Sequence, residues 1–120
     1  MTIPDLCGAE ALRAVISYWG KHADFSNESE ILKAANSVGF VGFYDEADMG
    51  ALCQYLDSGL PVIADLIENE RYSVIVGMDD RHTYVVDSKT EPRYAKILTS
   101  VFNKNFEARR LIIIAPEKIV

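Results

Sequence analysis

Residues of the kinds that build metal or phosphate sites are scarce in this chain. There are two cysteines, Cys7 and Cys53, and two histidines, His22 and His82, with no Cys-x-x-Cys pair and no Cys/His cluster. Four zinc ligands at workable spacing cannot be assembled from them, so no metal and no cofactor is expected. Cations are scattered as well. Twelve Lys and Arg stand against 18 Asp and Glu, for a formal charge of -6, and Arg109-Arg110 is the one adjacent basic pair. A phosphate backbone needs a clustered cationic face, so nucleic acid is excluded as an expected partner. No apolar run approaches the roughly 20 residues that span a bilayer. The start, Met1-Thr2-Ile3-Pro4-Asp5, lacks the basic patch and apolar stretch of a secretory signal. A cytoplasmic location without membrane insertion is expected, unless the domain belongs to a larger membrane protein. A Cys7–Cys53 disulfide is not expected there.

What is present suits a globular domain. The 120 residues are 49% apolar and 25% charged, enough for one domain over 1–120 with its own core. The first half reads as helices. Ala11, Leu12, Val15, Ile16 and Trp19 make an apolar stripe that starts near Cys7 and stops at Gly20, with Asp5 placed as an N-cap. A second helix starts near Asn27, which has capping-box spacing to Glu30, and ends at Gly39. A third is expected over about Asp45 to Ser58, with Met49, Leu52, Cys53 and Leu56 inward and Gly59-Leu60-Pro61 as the stop. On that face Cys53 reads as core. The Asp45-Glu46-Ala47-Asp48 cluster fits a helix N-terminus better than a metal site.

Beyond Pro61 the period falls to two. Strands are expected over Val62–Ile67, Tyr72–Met78, Thr83–Asp87 and Leu111–Ile114, with a short helix around Ser100–Phe102. Asp79-Asp80-Arg81-His82 turns the second strand into the third. Asp65 interrupts an apolar strand, either lining a cleft or lying on a sheet edge. Helices first and an antiparallel sheet second is an α+β layout.

Cys7 is the residue with the most chemical promise. A thiol at a helix N-terminus feels the positive end of the dipole, which favours thiolate. A lone cysteine there also serves as a small buried filler. Its context is more telling: Asp5-Leu6-Cys7-Gly8-Ala9 opens a helix that ends Tyr18-Trp19-Gly20. Gly59-Leu60-Pro61-Val62-Ile63, Tyr72-Ser73-Val74-Ile75-Val76-Gly77 and Tyr84-Val85-Val86-Asp87-Ser88 follow. In order and spacing these four motifs resemble the bacteriocin-processing (double-glycine leader) cysteine peptidases. That resemblance implies a papain-like fold, N-terminal helices packed on an antiparallel β-sheet. It also implies a nucleophile at Cys7 and an orienting carboxylate at Asp87.

Two departures follow from the same comparison. The general base of the family, a histidine, falls on Arg71. A guanidinium stays protonated and has no acceptor, so it can neither take the thiol proton nor return it to a leaving amine. The family's oxyanion Gln, about six residues before the Cys, falls on Met1. Losing one such donor costs on the order of 10²–10³ in turnover. Neither His82, one strand away, nor His22, one helix away, is expected to replace the base. Cys7 and Asp87 are thus expected to be vestigial catalytic residues.

Three roles remain open for Arg71: an ion pair with Asp87, an anion site formed with Cys7 and Gly8 at the helix N-terminus, or a cation holding a Cys7 thiolate. The resemblance implies a non-catalytic module that binds a peptide or a small anionic ligand, associated with a transporter or a homo-oligomer. The alternatives are a cysteine peptidase or amide hydrolase with a non-standard base, and a structural domain that oligomerises.

Overall fold

The computed structural model describes residues 3–25, 30–67, 70–88 and 93–117. Its element order is α1 (Gly8–Tyr18), α2 (Ile31–Ser37), β1 (Phe40–Glu46), α3 (Met49–Asp57), β2 (Val62–Leu66), β3 (Tyr72–Met78), β4 (His82–Val86), β5 (Tyr94–Leu98), α4 (Thr99–Asn105) and β6 (Ala108–Pro116). The six strands form one antiparallel sheet in the order β1-β6-β2-β3-β4-β5.

Helices cover both faces of the sheet. Leu12, Val15 and Ile16 of α1 and Ile31 and Ala35 of α2 pack on Ile63, Val74, Ile112 and Ile114. Leu52 of α3 and Phe102 of α4 pack on Val62, Ala64, Ile75, Leu111 and Ile113. The run of one leucine and three isoleucines in β6, Leu111–Ile114, is therefore buried on both sides, as an unbroken apolar strand should be. The expected α+β layout holds, with the helices on two sides of the sheet.

The glycines expected to stop the first three helices all adopt left-handed φ: 77° at Gly20, 86° at Gly39 and 81° at Gly59. Several boundaries differ from expectation. The N-cap of α1 is Cys7 with an extended ψ of 168°, so the cap lies two residues beyond Asp5. Asn27 lies outside the described residues. The third helix begins at Met49, because Asp48 caps it by accepting from the Ala51 N–H. Asp45 and Glu46 instead end β1, a strand absent from the sequence reading, as is β5.

Asp65 is 6% exposed on β2, a central strand. It is therefore not at a sheet edge. Its carboxylate accepts from Arg110 Nε at 2.9 Å, and the Arg110 guanidinium lies 3.9 Å from the Tyr44 ring centroid. Burying a carboxylate is costly unless it is paired and hydrogen-bonded in this way.

One irregularity matters below. Ile75 pairs with Val85 and Gly77 with Tyr84, so β3 carries one extra residue, Val76, as a bulge against β4.

Candidate functional site

Cys7 is placed by a short backbone stitch. Leu6 pairs with Tyr72 as an isolated antiparallel bridge, with N–H to O distances of 2.7 and 2.9 Å in the two directions. Ser73 Oγ donates to the Pro4 carbonyl at 2.8 Å, which holds the arm further. In an antiparallel bridge the residue after Leu6 lies beside the residue before Tyr72, so Cys7 and Arg71 become backbone neighbours across 64 residues. Arg71 leaves a turn in which Glu70 adopts a left-handed φ of 51°. The juxtaposition of Cys7 with Arg71 expected from the sequence is therefore present, and Gly8 is the first, buried residue of α1 beside them.

The carboxylate paired with Arg71 differs from the expected one. Asp5 takes this role: its Oδ1 lies 2.9 Å from Arg71 Nε and 2.7 Å from Nη2, and its carbonyl 3.4 Å from Nη2. Asp5 is free for this because Cys7, two residues later, caps the helix. Asp87 immediately follows β4, half-buried, and its N–H donates to the Arg93 carbonyl at 3.0 Å. The arm that carries Asp5 lies directly against Arg71, and that contact, between residues 66 apart, has no local signal in the sequence.

Glu10 is the residue the sequence reading missed. It stands at the third position of α1 and accepts from the Cys7 N–H at 3.2 Å. That hydrogen bond, with a further one from the Cys7 thiol, holds the Glu10 carboxyl below its ordinary value of 4.5, and the Arg71 and Arg13 charges add to the effect. The Cys-x-x-Glu spacing of a capping box was the available signal. The thiol thus contacts a carboxylate, and the residue beside it across the backbone bridge carries an already-paired guanidinium.

Neither histidine approaches it. His82 opens β4 at the far end of β3, where Asp79 Oδ1 holds its N–H at 2.7 Å. Seven strand residues at about 3.3 Å each put it about 20 Å from Arg71. His22 lies beyond the C-terminal end of α1, also on the order of 20 Å from Cys7 at 1.5 Å per helical residue.

From Leu6 and Glu10 a cavity of about 600 Å³ runs along α1 to His22. Glu10, Arg13, Ala14, Ser17 and Tyr18 line it; they form the helix stripe beside the one that fills the core. Val76 and Val86 form the opposite wall, with Tyr94 at the rim. Ser88 also lines it, whereas Asp87 is not in the wall. The position of the expected oxyanion Gln, Met1, lies outside the described residues. Among the described residues no three His, Cys, Asp or Glu side chains converge as metal ligands, and no helix is long and apolar enough to cross a membrane.

No family model matches the chain, and no curated protein matches it. Solved structures do. The peptidase domain of Streptococcus ComA, a bi-functional ABC transporter involved in a quorum-sensing pathway, is similar with a TM-score of 0.69 at 21% identity, over 95% of this chain and 96% of that one. The peptidase domain of Streptococcus mutans ComA gives 0.63 at 22% identity over 95% and 98%. Its complex with a small-molecule inhibitor gives 0.62 at 21% over 97% and 99%. The chain has the papain-like fold of these transporter peptidase domains.

Proposed function

We propose that the chain, as one domain over residues 1–120, is a degenerate cysteine-peptidase-like module that binds a peptide without cutting it. One observation carries this reading: the Arg71–Asp5 ion pair beside Cys7. Where a cysteine peptidase keeps its base, this site has a cation already engaged by a carboxylate. Such a pair moves no proton at neutral pH.

Among the described residues, Glu10 is the base in contact with the thiol. Its carboxyl is held below 4.5 by the Cys7 N–H first and the thiol second, so it is a weak proton acceptor at neutral pH. That argues against the hydrolase alternative.

The cavity supplies the binding surface. Leu6, Ala14, Val76 and Val86 give it an apolar floor, and Arg13, Tyr18 and Tyr94 give it polar and aromatic rims. This composition suits an extended peptide segment. An anionic group at Arg71 would share the guanidinium with Asp5, which already engages Nε and Nη2. The ComA domains are parts of a transporter, and by analogy of fold this module would work beside an exporter on its cytoplasmic side.

The deciding test is hydrolysis of a broad fluorogenic peptide library. No turnover is expected; cleavage abolished by Cys7→Ala overturns the reading. Arg71→His tests the placement of the lost base, and a gain of slow hydrolysis supports it. Binding is read by fluorescence polarisation of the same peptides, with Ala14→Phe expected to block the cavity. A second reading rests on β1, an edge strand whose Val41, Phe43 and Tyr44 are exposed. If that edge served self-association, light scattering would report a dimer that Phe43→Lys dissolves.

A further inference from the structure

The second cysteine lies on the other face of the sheet from the cavity beside α1, in a setting of a different kind. Cys53 is expected on sequence grounds to be core, yet it is half-buried and lines a separate cavity of about 510 Å³. Its Sγ is 3.7 Å from the Sδ of Met78, the last residue of β3. Met49 lines the same cavity. It precedes Cys53 by four residues on α3 and so shares its helix face.

We propose that Cys53, Met78 and Met49 form a site for a soft monovalent cation of the copper(I) class. Three arguments support it. The first is distance. Taking both metal–sulfur bonds as about 2.3 Å, the length of a zinc–thiolate bond, two sulfurs 3.7 Å apart subtend an angle of about 107° at a shared ion. That angle suits a tetrahedral ion, so the spacing of the pair is compatible with a shared one, and Met49 lines the same cavity. The second is ligand type. A thiolate with two thioethers selects copper(I) over the harder divalent ions, and no cluster of His, Cys, Asp and Glu competes for those among the described residues. The third is charge. Asp57, Asp79 and Asp80 also line the cavity, and an anionic mouth concentrates cations.

Binding needs no redox partner. The Cys53 S–H bond breaks, the sulfur lone pair forms the bond to copper(I), and the proton leaves to solvent; the metal keeps its oxidation state. Without the ion, the S–H donates weakly to Met78, so little is lost on exchange. The site is independent of the peptide-binding reading, because it uses neither Cys7 nor its cavity.

The test is an anaerobic copper(I) titration of the intact protein against a chromophoric copper(I) chelator. One equivalent per chain is expected. Cys53→Ser should abolish it. Met78→Leu and Met49→Leu are near-isosteric swaps that preserve the fold, and each should weaken affinity on the order of tenfold or more. A copper K-edge spectrum should show a shell of sulfur neighbours. The proposal is overturned if Met78→Leu, with an unchanged thermal midpoint, binds copper(I) as tightly as the parent protein. It is also overturned if the shell is nitrogen and oxygen, or if binding is lost only on Cys7→Ser.

Discussion

The two thiols of this chain sit against opposite ends of β3 and under opposite faces of the sheet, and their neighbours are of opposite kinds. Cys7 ends a short N-terminal arm, between the Glu10 carboxylate and the Arg71–Asp5 pair. Cys53 lies in mid-helix against a thioether. Charge surrounds the first and polarisable sulfur the second. A cysteine's chemistry follows from such neighbours more than from its exposure, since both side chains are half-buried. The thiol at the helix N-terminus contacts a carboxylate, and the thiol that reads as filler contacts a thioether.

The largest test of this comparison asks whether the two sides share one framework. Leu12→Ala under the Cys7 side should cost about 2–5 kcal/mol, and Phe102→Ala under the Cys53 side about 3–5 kcal/mol, since both side chains are fully buried. If the sheet couples them, Trp19 fluorescence and far-UV circular dichroism will give one urea midpoint in each variant. Separate midpoints would divide the two faces. Next in size is Asp65→Ala, which strips Arg110 of its buried carboxylate and should cost about 1–3 kcal/mol in chemical denaturation.

Smaller effects are confined to the Cys7 end. Arg71→Ala should change stability by only about 0.2–1 kcal/mol, because both partners of the ion pair are partly exposed. A loss above 2 kcal/mol in urea would make the pair a structural tie for the N-terminal arm. The least effect is in acid. The folded-state carboxyl of Glu10 is depressed, chiefly by the Cys7 N–H. Its contribution is therefore complete above its ordinary 4.5 and is lost as pH falls through the lower folded value. Glu10→Gln should remove about 0.3–1 kcal/mol at neutral pH and flatten the fall of thermal midpoint between about pH 5 and pH 3. Asp79 at the other end of β3 is depressed likewise, by the His82 and Arg81 N–H groups, so its loss begins below 3.8 and should survive Glu10→Gln.

Much of this architecture was legible because periodicity reports burial. β2, β3 and β4 were found within a residue or so, since their alternation or apolar runs face a core on one side or both. β1 and β5 were missed for the same reason in reverse. They are the sheet edges, each burying a single residue, Phe40 and Ile97, so too few buried apolar positions mark them. In β1, Gly42 and the acids at 45 and 46 also imitate a helix entry. Position 7 and its neighbour at 71 were legible through the motif order. The Asp5 contact was not, because ion-pair choice depends on where an arm lies in space. Cys53 was placed on the right helix face, but a stripe cannot tell a filled core from a cavity wall.

The bulge at Val76 has a consequence for how one strand serves two unrelated surfaces. Along an unbroken strand Val76 and Met78 would project to the same side. With one surplus residue the parity resets, so Val76 looks into the peptide-sized cavity while Met78 turns to Cys53. A single inserted position thus acts as a switchyard, letting seven residues furnish two compartments that share no wall.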